Sequence, residues 1–179
     1  MAIIIDTNTF AEVFIRTSKD HHEFAPVLEW LLNGKGSAVY GGSTYLKELK
    51  KAAKFIPVFR LLKETGKVIE GDSANIDDVE KSIKTTVNDP DFDDPHLAAI
   101  IIDTKCKILC TKDTRSLKFL KDKNIYPNGV SKPAYYTSCK NSNLLCDKYI
   151  HDLHKPLLKL PKKTANKVAL KISKIILKK

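Results

Sequence analysis

An acidic cluster lies in the segment 88–99, which reads NDPDFDDPHLAA and ends in an apolar run. Its four carboxylates belong to Asp89, Asp91, Asp93 and Asp94. Like charges at this spacing repel one another, so the cluster indicates either a well-solvated turn or a bound cation. An EF-hand calcium loop that starts at Asp89 is excluded by its sixth and twelfth positions. The sixth is Asp94 where glycine is needed, and the twelfth is Ile100 where glutamate is needed.

Three further acids lie near the ends of predicted strands. Asp6 follows the apolar run AIII, Glu48 lies in a helical pattern after SAVYG, and Asp113 follows KILC. Ligands of parallel α/β sheets bind at the carboxyl ends of the strands, so we expect these acids and Asp94 to meet at one edge of a sheet. Crowded carboxylates are stable mainly when cations neutralise them, and oxygen ligands favour Mg²⁺ or Mn²⁺.

Each of these residues also has an ordinary structural explanation. Asp94 precedes Pro95, a favourable pair for starting a helix, so we expect Asp94 to cap that helix as well as to face the cation. Glu48 lies among lysines, as a solvated surface residue would. Asp6 ends a buried strand and must be hydrogen-bonded, paired or metal-bound. His96 is predicted to be a packed or surface histidine, with substrate contact as the alternative.

The elements that must position these residues alternate along the chain. Strands are predicted at 2–5, 37–41, 67–70, 107–110 and 125–126. Helices are predicted at 8–16, 21–33, 43–63 with a bend or break near Pro57, 73–87, 95–104 and 114–123. Short apolar runs are typical of buried parallel strands, and the helix 95–104 has the apolar middle of one packed deep against a sheet. The alternation predicts parallel βαβ units with helices on both faces of the sheet.

The charge of the chain, +10 in total, is concentrated in its C-terminal part. Residues 114–179 contain 16 Lys or Arg and only 3 Asp or Glu. Within 164–178 the apolar residues fall on one helical stripe, and the other stripe consists of Lys167, Lys171, Lys174 and Lys178. This pattern predicts an amphipathic basic helix. Its lysines either neutralise nucleic-acid phosphates or form a solubilising surface, and its apolar stripe either binds a partner or packs on the domain.

Composition also bears on the class of protein. No apolar stretch approaches the roughly 20 residues that span a bilayer, and no signal-peptide pattern is visible, so we expect a cytoplasmic protein that does not enter the membrane. The four cysteines are expected to be free thiols in that compartment. Zinc is disfavoured, because no common zinc motif matches the spacing of Cys139, Cys146, His151 and His154.

Four short motifs, IIIDTN, STYLKELKK, DDPHLAAI and CTKD, occur in an order and context that resemble a PIN domain, the fold of VapC-type toxins and related nucleases. The resemblance covers about residues 1–127 and leaves 128–179 as a basic C-terminal extension. It implies a three-layer α/β/α fold with a central parallel sheet. It also implies a metal-dependent endoribonuclease that hydrolyses RNA phosphodiester bonds. A toxin-like role is one biological role that the resemblance allows.

The resemblance assigns roles residue by residue. The acids that match the family's catalytic, ion-holding positions are Asp6, Glu48, Asp94 and Asp113. Asp93 or Asp91 could share or replace the role of Asp94. Thr7 and Asn8 match the small polar residues that hold the first acid, Asp6, in place, and Thr111 matches a hydrogen-bonding support beside Asp113. Family members use such acids to hold one or two Mg²⁺ or Mn²⁺ ions.

Alternative functions stay open at this point. A structure-specific DNA nuclease would use the same acids, and a binding module could retain them without turnover. A phospho-accepting receiver module is disfavoured, because it needs an acidic pair after the first strand, where only Asp6 stands. The expected partners are an RNA substrate, an inhibitor protein of the antitoxin type and a second copy of the chain in a homodimer.

Overall fold

A parallel sheet forms the centre of the fold, and the computed structural model describes residues 2–149, 151–154 and 158–177. The strands of the sheet are β1 Ala2–Ile5, β2 Ser37–Tyr40, β3 Val68–Glu70, β4 Ile108–Cys110 and β5 Ala134–Tyr136. Their order is β3-β2-β1-β4-β5, and every neighbouring pair is parallel. With helices on both faces, this arrangement confirms the predicted three-layer α/β/α fold.

The first strand occupies the middle of the sheet and is buried on both of its faces. Ile4 of β1 pairs with Val39 of β2 on one side and with Leu109 of β4 on the other. All four residues of β1 are buried, which explains why the run AIII is apolar throughout. Burial of each such isoleucine contributes about 1.5–3 kcal/mol to folding. The residue after β1, Asp6, therefore lies at the middle of the carboxyl edge of the sheet.

Helices connect and cover the strands. They are α1 Phe10–Phe14, α2 His21–Asn33, α3 Ser43–Lys51, α4 Ile56–Glu64, α5 Ser73–Thr86, α6 Pro95–Thr104, α7 Thr114–Leu120 and α8 Lys162–Leu177. The helix α6 packs on α5 and α3, whereas α8 contacts α1, α2 and α4. The predicted break in 43–63 is confirmed, because α3 ends at Lys51 and α4 starts at Ile56 with Pro57 in its first turn.

The fifth strand differs from the prediction. Residues 125–126 were predicted to form it, but a 3-10 turn at Lys123–Ile125 occupies this place and β5 lies at Ala134–Tyr136. The ring of Tyr126 is buried and its hydroxyl donates to the carbonyl of Leu120, which ties it to the end of α7. The sheet therefore takes its edge strand from the segment that the sequence assigned to the C-terminal extension.

The C-terminal helix packs on the rest of the fold with its apolar stripe. Ala165, Val168 and Ile172 are buried, whereas Lys167, Lys171 and Lys174 are exposed. Of the alternatives for this stripe, packing on the domain is therefore the one that the structure shows. The fourth predicted lysine, Lys178, lies outside the described residues.

A buried lysine fixes the segment that leads into α8. Lys67 is fully buried, and its Nζ donates to the carbonyl of Leu158 at 2.8 Å and to that of Gly34 at 3.3 Å. Burial lowers the pKa of Lys67 to about 8.

No helix in the described ranges has both the length and the apolar character needed to cross a lipid bilayer.

Candidate active site

Asp6 is held rigidly at the end of β1. Its side chain is almost fully buried and accepts hydrogen bonds from Thr111 Oγ1 at 2.7 Å, from Asn8 Nδ2 at 2.7 Å and from the Asn8 amide at 3.2 Å. Burial raises the pKa of Asp6 to about 6, since it outweighs the lowering effect of the Thr111 hydrogen bond, and the charge of Asp94 adds to the increase. The carboxylate is positioned but poorly neutralised, which favours a cation beside it.

Glu48 reaches the same edge from α3. The turn into this helix passes through Gly42, whose φ is 78°. Any side chain there would clash, because its Cβ would lie 2.5 Å from the side chain of Ile76, so this position favours glycine. Thr7 Oγ1 donates to Glu48 Oε2 at 2.9 Å, and His96 Nε2 lies 3.5 Å from that oxygen. Burial alone would raise the pKa of Glu48, but His96 and Thr7 outweigh it and hold the pKa below its ordinary value.

Asp94 lies directly before α6, where the sequence predicted a capping carboxylate. The capping half of that prediction is wrong, because the Asp94 side chain makes no capping hydrogen bond to the helix. It accepts instead from Ser116 Oγ at 2.6 Å, which turns the carboxylate toward α7. Burial is the main reason that the pKa of Asp94 is raised, and the charges of Asp93 and Glu48 add to it.

Asp113 and Asp93 share an arginine. Asp113 caps α7 by accepting from the Arg115 amide at 2.8 Å, and Arg115 Nη2 lies 3.0 Å from Asp113 Oδ2 and 3.3 Å from Asp93 Oδ2. The Arg115 guanidinium lowers the pKa of Asp113. Ser116 Oγ, which donates to Asp94, also lies 3.2 Å from Asp93 Oδ1, so this one residue of α7 contacts both Asp93 and Asp94.

Two groups of donor atoms converge at this edge of the sheet. Ligand atoms within 4.8 Å of one another come from Glu48, Asp94 and His96 in the first group, and from Asp93, Asp94 and Asp113 in the second. Asp94 belongs to both groups and joins them into one acidic centre. Among the described residues, Asp6 belongs to neither group, although the charge of Asp94 reaches it and raises its pKa.

Comparison with protein families adds an independent finding to this geometry. Residues 2–115 match the family described as the PIN domain. The chain belongs to the PIN domain family. PIN domains are generally metal-dependent nucleases, and this one has an acidic centre of the kind that holds metal ions. A comparison with curated proteins found no match.

The side chains of this PIN domain fit a divalent cation on their own chemistry. Crowded carboxylates, two of them with a raised pKa because of burial, are a set of oxygen ligands short of positive charge. The residues predicted to support the acids all contact carboxylates of this edge. Asn8 donates to Asp6 as expected, whereas Thr7, which was expected to hold Asp6, donates to Glu48. Thr111, which was expected beside Asp113, accepts from the Asp113 amide and donates to Asp6. Such hydrogen bonds fix the orientation of metal ligands.

The other two aspartates of the cluster turn away from the centre. Asp89 accepts from the Asp91 amide at 2.9 Å, as a turn residue does, and Asp91 lies 3.2 Å from Lys118 Nζ on the surface. Both side chains are exposed. Within the described part of the chain, Asp91 is in neither donor group, so Asp93 is the better supported of the two reserves.

Sequence reasoning missed two residues of this centre, Ser116 and Arg115. It predicted a packed or surface position for His96, and the structure shows the packed one, but its place beside Glu48 was not foreseen. The interval of three residues from Asp113 to Ser116 is one helical turn, which is a signal that both face the same edge. The contacts of Ser116 with Asp93 and Asp94 cross 22 or 23 residues, and no local pattern reveals them.

The predicted nucleic-acid-binding lysines lie on a different part of the molecule. Lys171 and Lys174 line a groove of about 320 Å³ between α4 and α8, together with Arg60 and Glu64. Lys167 is exposed one turn earlier on α8. The groove thus carries three basic groups and one acid among its lining residues.

Proposed function

We propose that this PIN domain is an endoribonuclease that hydrolyses RNA phosphodiester bonds with Mg²⁺ or Mn²⁺. The observation that supports this most is the position of Asp94, which belongs to both donor groups at the carboxyl edge of the sheet. The proposed catalytic residues, which also hold the metal, are Asp6, Glu48, Asp94 and Asp113. Asp93 is proposed as a further ligand.

In this proposal the side chains of the centre hold a divalent ion and are themselves kept in place by their neighbours. When bound, the ion would lower the pKa of its coordinated water and stabilise the charge of the reacting phosphodiester. Thr111 and Asn8 keep Asp6 oriented, and Ser116 keeps Asp94 turned toward the centre. Carboxylates held in this way are arranged before the ion or substrate arrives, so little reorganisation is needed.

RNA binding is assigned to the lysines of α8. Lys167, Lys171 and Lys174 are exposed on one side of the helix, and Arg60 of α4 lies across the groove from two of them. Neutralised phosphates release counterions, so such a surface contributes affinity that is independent of sequence. Lys178 is assigned to the same basic stripe from the sequence pattern alone.

The proposal extends to the setting of the enzyme. A VapC-like, toxin-type role would need an inhibitor of the antitoxin type, since an unregulated ribonuclease harms its host, and a homodimer is the proposed assembly. We also propose a cytoplasmic location. The four cysteines are free, as is usual for proteins of a reducing compartment.

A cleavage assay tests this function. End-labelled single-stranded RNA, hairpin RNA, single-stranded DNA and duplex DNA are incubated with the protein and Mg²⁺ or Mn²⁺, and with EDTA as the metal-free reference. We expect internal cuts in RNA that require the metal and that disappear in Asp6→Asn and Asp94→Asn. Asp89→Asn is the matched control, because it changes an exposed turn carboxylate of the same cluster and should leave cleavage unchanged.

The outcomes separate the alternatives. Cleavage of DNA alone would replace the RNA assignment by a DNA nuclease. Metal binding without cleavage of any substrate would indicate a binding module. Cleavage by Asp6→Asn and Asp94→Asn at the rate of the unmodified protein would show that the assigned site is wrong.

A further inference from the structure

His96 is a buried histidine whose ring nitrogens lack hydrogen bonds. It is the second residue of α6, its side chain is 1% exposed, and the Tyr45 ring packs against it with a centroid distance of 6.5 Å. In the part of the chain that the structure describes, neither Nδ1 nor Nε2 has a hydrogen-bond partner. A buried polar group without a partner costs about 1–3 kcal/mol. This cost suggests that a ligand belongs at one of the two nitrogens.

The Nε2 atom faces the acidic centre. It lies 3.5 Å from Glu48 Oε2, and one ligand atom each of His96, Glu48 and Asp94 lie within 4.8 Å of one another. Charge-assisted hydrogen bonds between nitrogen and carboxylate oxygen are shorter, about 2.7–2.9 Å. Two ligands that each lie about 2.1 Å from one ion are separated by about 3–3.5 Å. The spacing of Nε2 and Oε2 therefore suits two ligands of one ion better than a direct hydrogen bond.

The charge of the group also suits a divalent ion. Glu48 and Asp94 together supply two negative charges, and an imidazole that releases its proton when the ion binds adds a donor without adding charge. Thr7 already holds Glu48 and Ser116 already holds Asp94, so both carboxylates are oriented while a free lone pair remains on each. His96 would complete a group with one nitrogen and two oxygen ligands.

We propose that His96 Nε2 is a direct ligand of the cation held by Glu48 and Asp94, and that this PIN domain therefore selects Mn²⁺ over Mg²⁺. The inference rests on the proposed function in that it assumes a cation at this centre. Imidazole favours first-row transition metals, whereas Mg²⁺ takes oxygen ligands and loses its water reluctantly. Of Mn²⁺ and Mg²⁺, both of which accept carboxylates, Mn²⁺ is the one that also accepts an imidazole readily.

Pulsed electron paramagnetic resonance of bound Mn²⁺ tests the ligand directly. The intact protein is loaded with one equivalent of Mn²⁺ and examined for the modulation that a directly coordinated ¹⁴N produces. We expect this signal in the unmodified protein and its loss in His96→Gln. His22→Gln is the matched control, since it removes an exposed histidine of α2 and should keep the signal. Circular dichroism confirms that each variant is folded.

Calorimetry measures the selectivity. We expect the Kd for Mn²⁺ to be at least tenfold lower than that for Mg²⁺ in the unmodified protein. In His96→Gln the ratio should fall several-fold, mainly through weaker Mn²⁺ binding. Both measurements on the unmodified protein are independent of how the variant folds.

The results distinguish this inference from the proposed function. Bound Mn²⁺ without ¹⁴N modulation would overturn the role of His96 as a ligand, while metal-dependent RNA cleavage by the same protein would leave the proposed function intact. Equal affinities for the two ions would overturn the selectivity. Absence of metal binding together with absence of cleavage would overturn both.

Discussion

Asp6→Asn should make the metal-free protein more stable while it removes the proposed activity. Asp6 is buried, and its pKa in the folded protein is about 6 against an ordinary value of 3.8. The folded chain therefore holds this proton more tightly than the unfolded chain does. The contribution of Asp6 to stability is full below about pH 4 and is lost as the pH rises through about 6.

The magnitude follows from the size of the shift. About two pKa units correspond to about 3 kcal/mol at neutral pH, which is the upper limit of the gain. Asparagine keeps one acceptor oxygen for Thr111 and Asn8 but brings an NH₂ group to the other position, so part of the gain is lost. We expect a net increase in the free energy of unfolding of about 1–3 kcal/mol at pH 7.

Urea denaturation in EDTA measures this at pH 7 and at pH 4. The increase should be present at pH 7 and nearly absent at pH 4, where Asp6 is protonated in the folded protein. Asp113→Asn is the matched control with the opposite sign, because Arg115 lowers the pKa of Asp113. Arg115 is mostly exposed, so solvent screens the pair, and asparagine also caps helices; the control should therefore lose little stability. An Asp6→Asn protein no more stable than the unmodified chain at pH 7 would refute the reasoning.

Two further predictions concern charges around the centre. Arg115→Gln removes the cation that pairs with Asp113 and Asp93. Calorimetry should then show the affinity for the divalent ion rising by about twofold to tenfold. Weaker binding would mean that Arg115 does not compete with the ion. Replacing Lys167, Lys171 and Lys174 by glutamine should weaken RNA binding and reduce the slope of log K against log salt by about two to three, as fluorescence anisotropy would measure. An unchanged slope would exclude α8 from the RNA surface, and Lys81→Gln on α5 serves as the control there.

The central strands and the buried helix could be predicted because their signals are local. The run AIII is apolar at every position since β1 is covered on both faces, and α6 is apolar since nine of its ten residues are buried. The fifth strand could not be found in this way. The equally short edge strand β3 has an apolar run, whereas Ala134–Tyr136 follows the turn-rich stretch 127–133 and shows no such pattern. Its position depends on pairing with β4, a contact between distant residues.

The acids of the site were predictable for a related reason. In a parallel sheet the strand ends place Asp6 and Asp113 at one edge, and this follows from topology without any side-chain detail. The orientation of each carboxylate does not follow from topology. Asp94 turns from its helix toward Ser116, and His96 is packed beside Glu48, because of contacts across the interface between α3, α6 and α7.

The buried Lys67 has a practical consequence for where the protein can be cut. Without the segment around Leu158, the Lys67 ammonium would lose its shorter hydrogen bond. Removal of Val168 and Ile172 would also uncover the apolar surface on which they pack. We therefore expect a fragment ending at residue 115, where the family match ends, to aggregate, whereas a chain that keeps α8 stays folded. On this expectation the shortest unit that behaves as the intact protein is longer than the stretch that matches the family, so the role of the α8 lysines is better tested by substitution than by truncation.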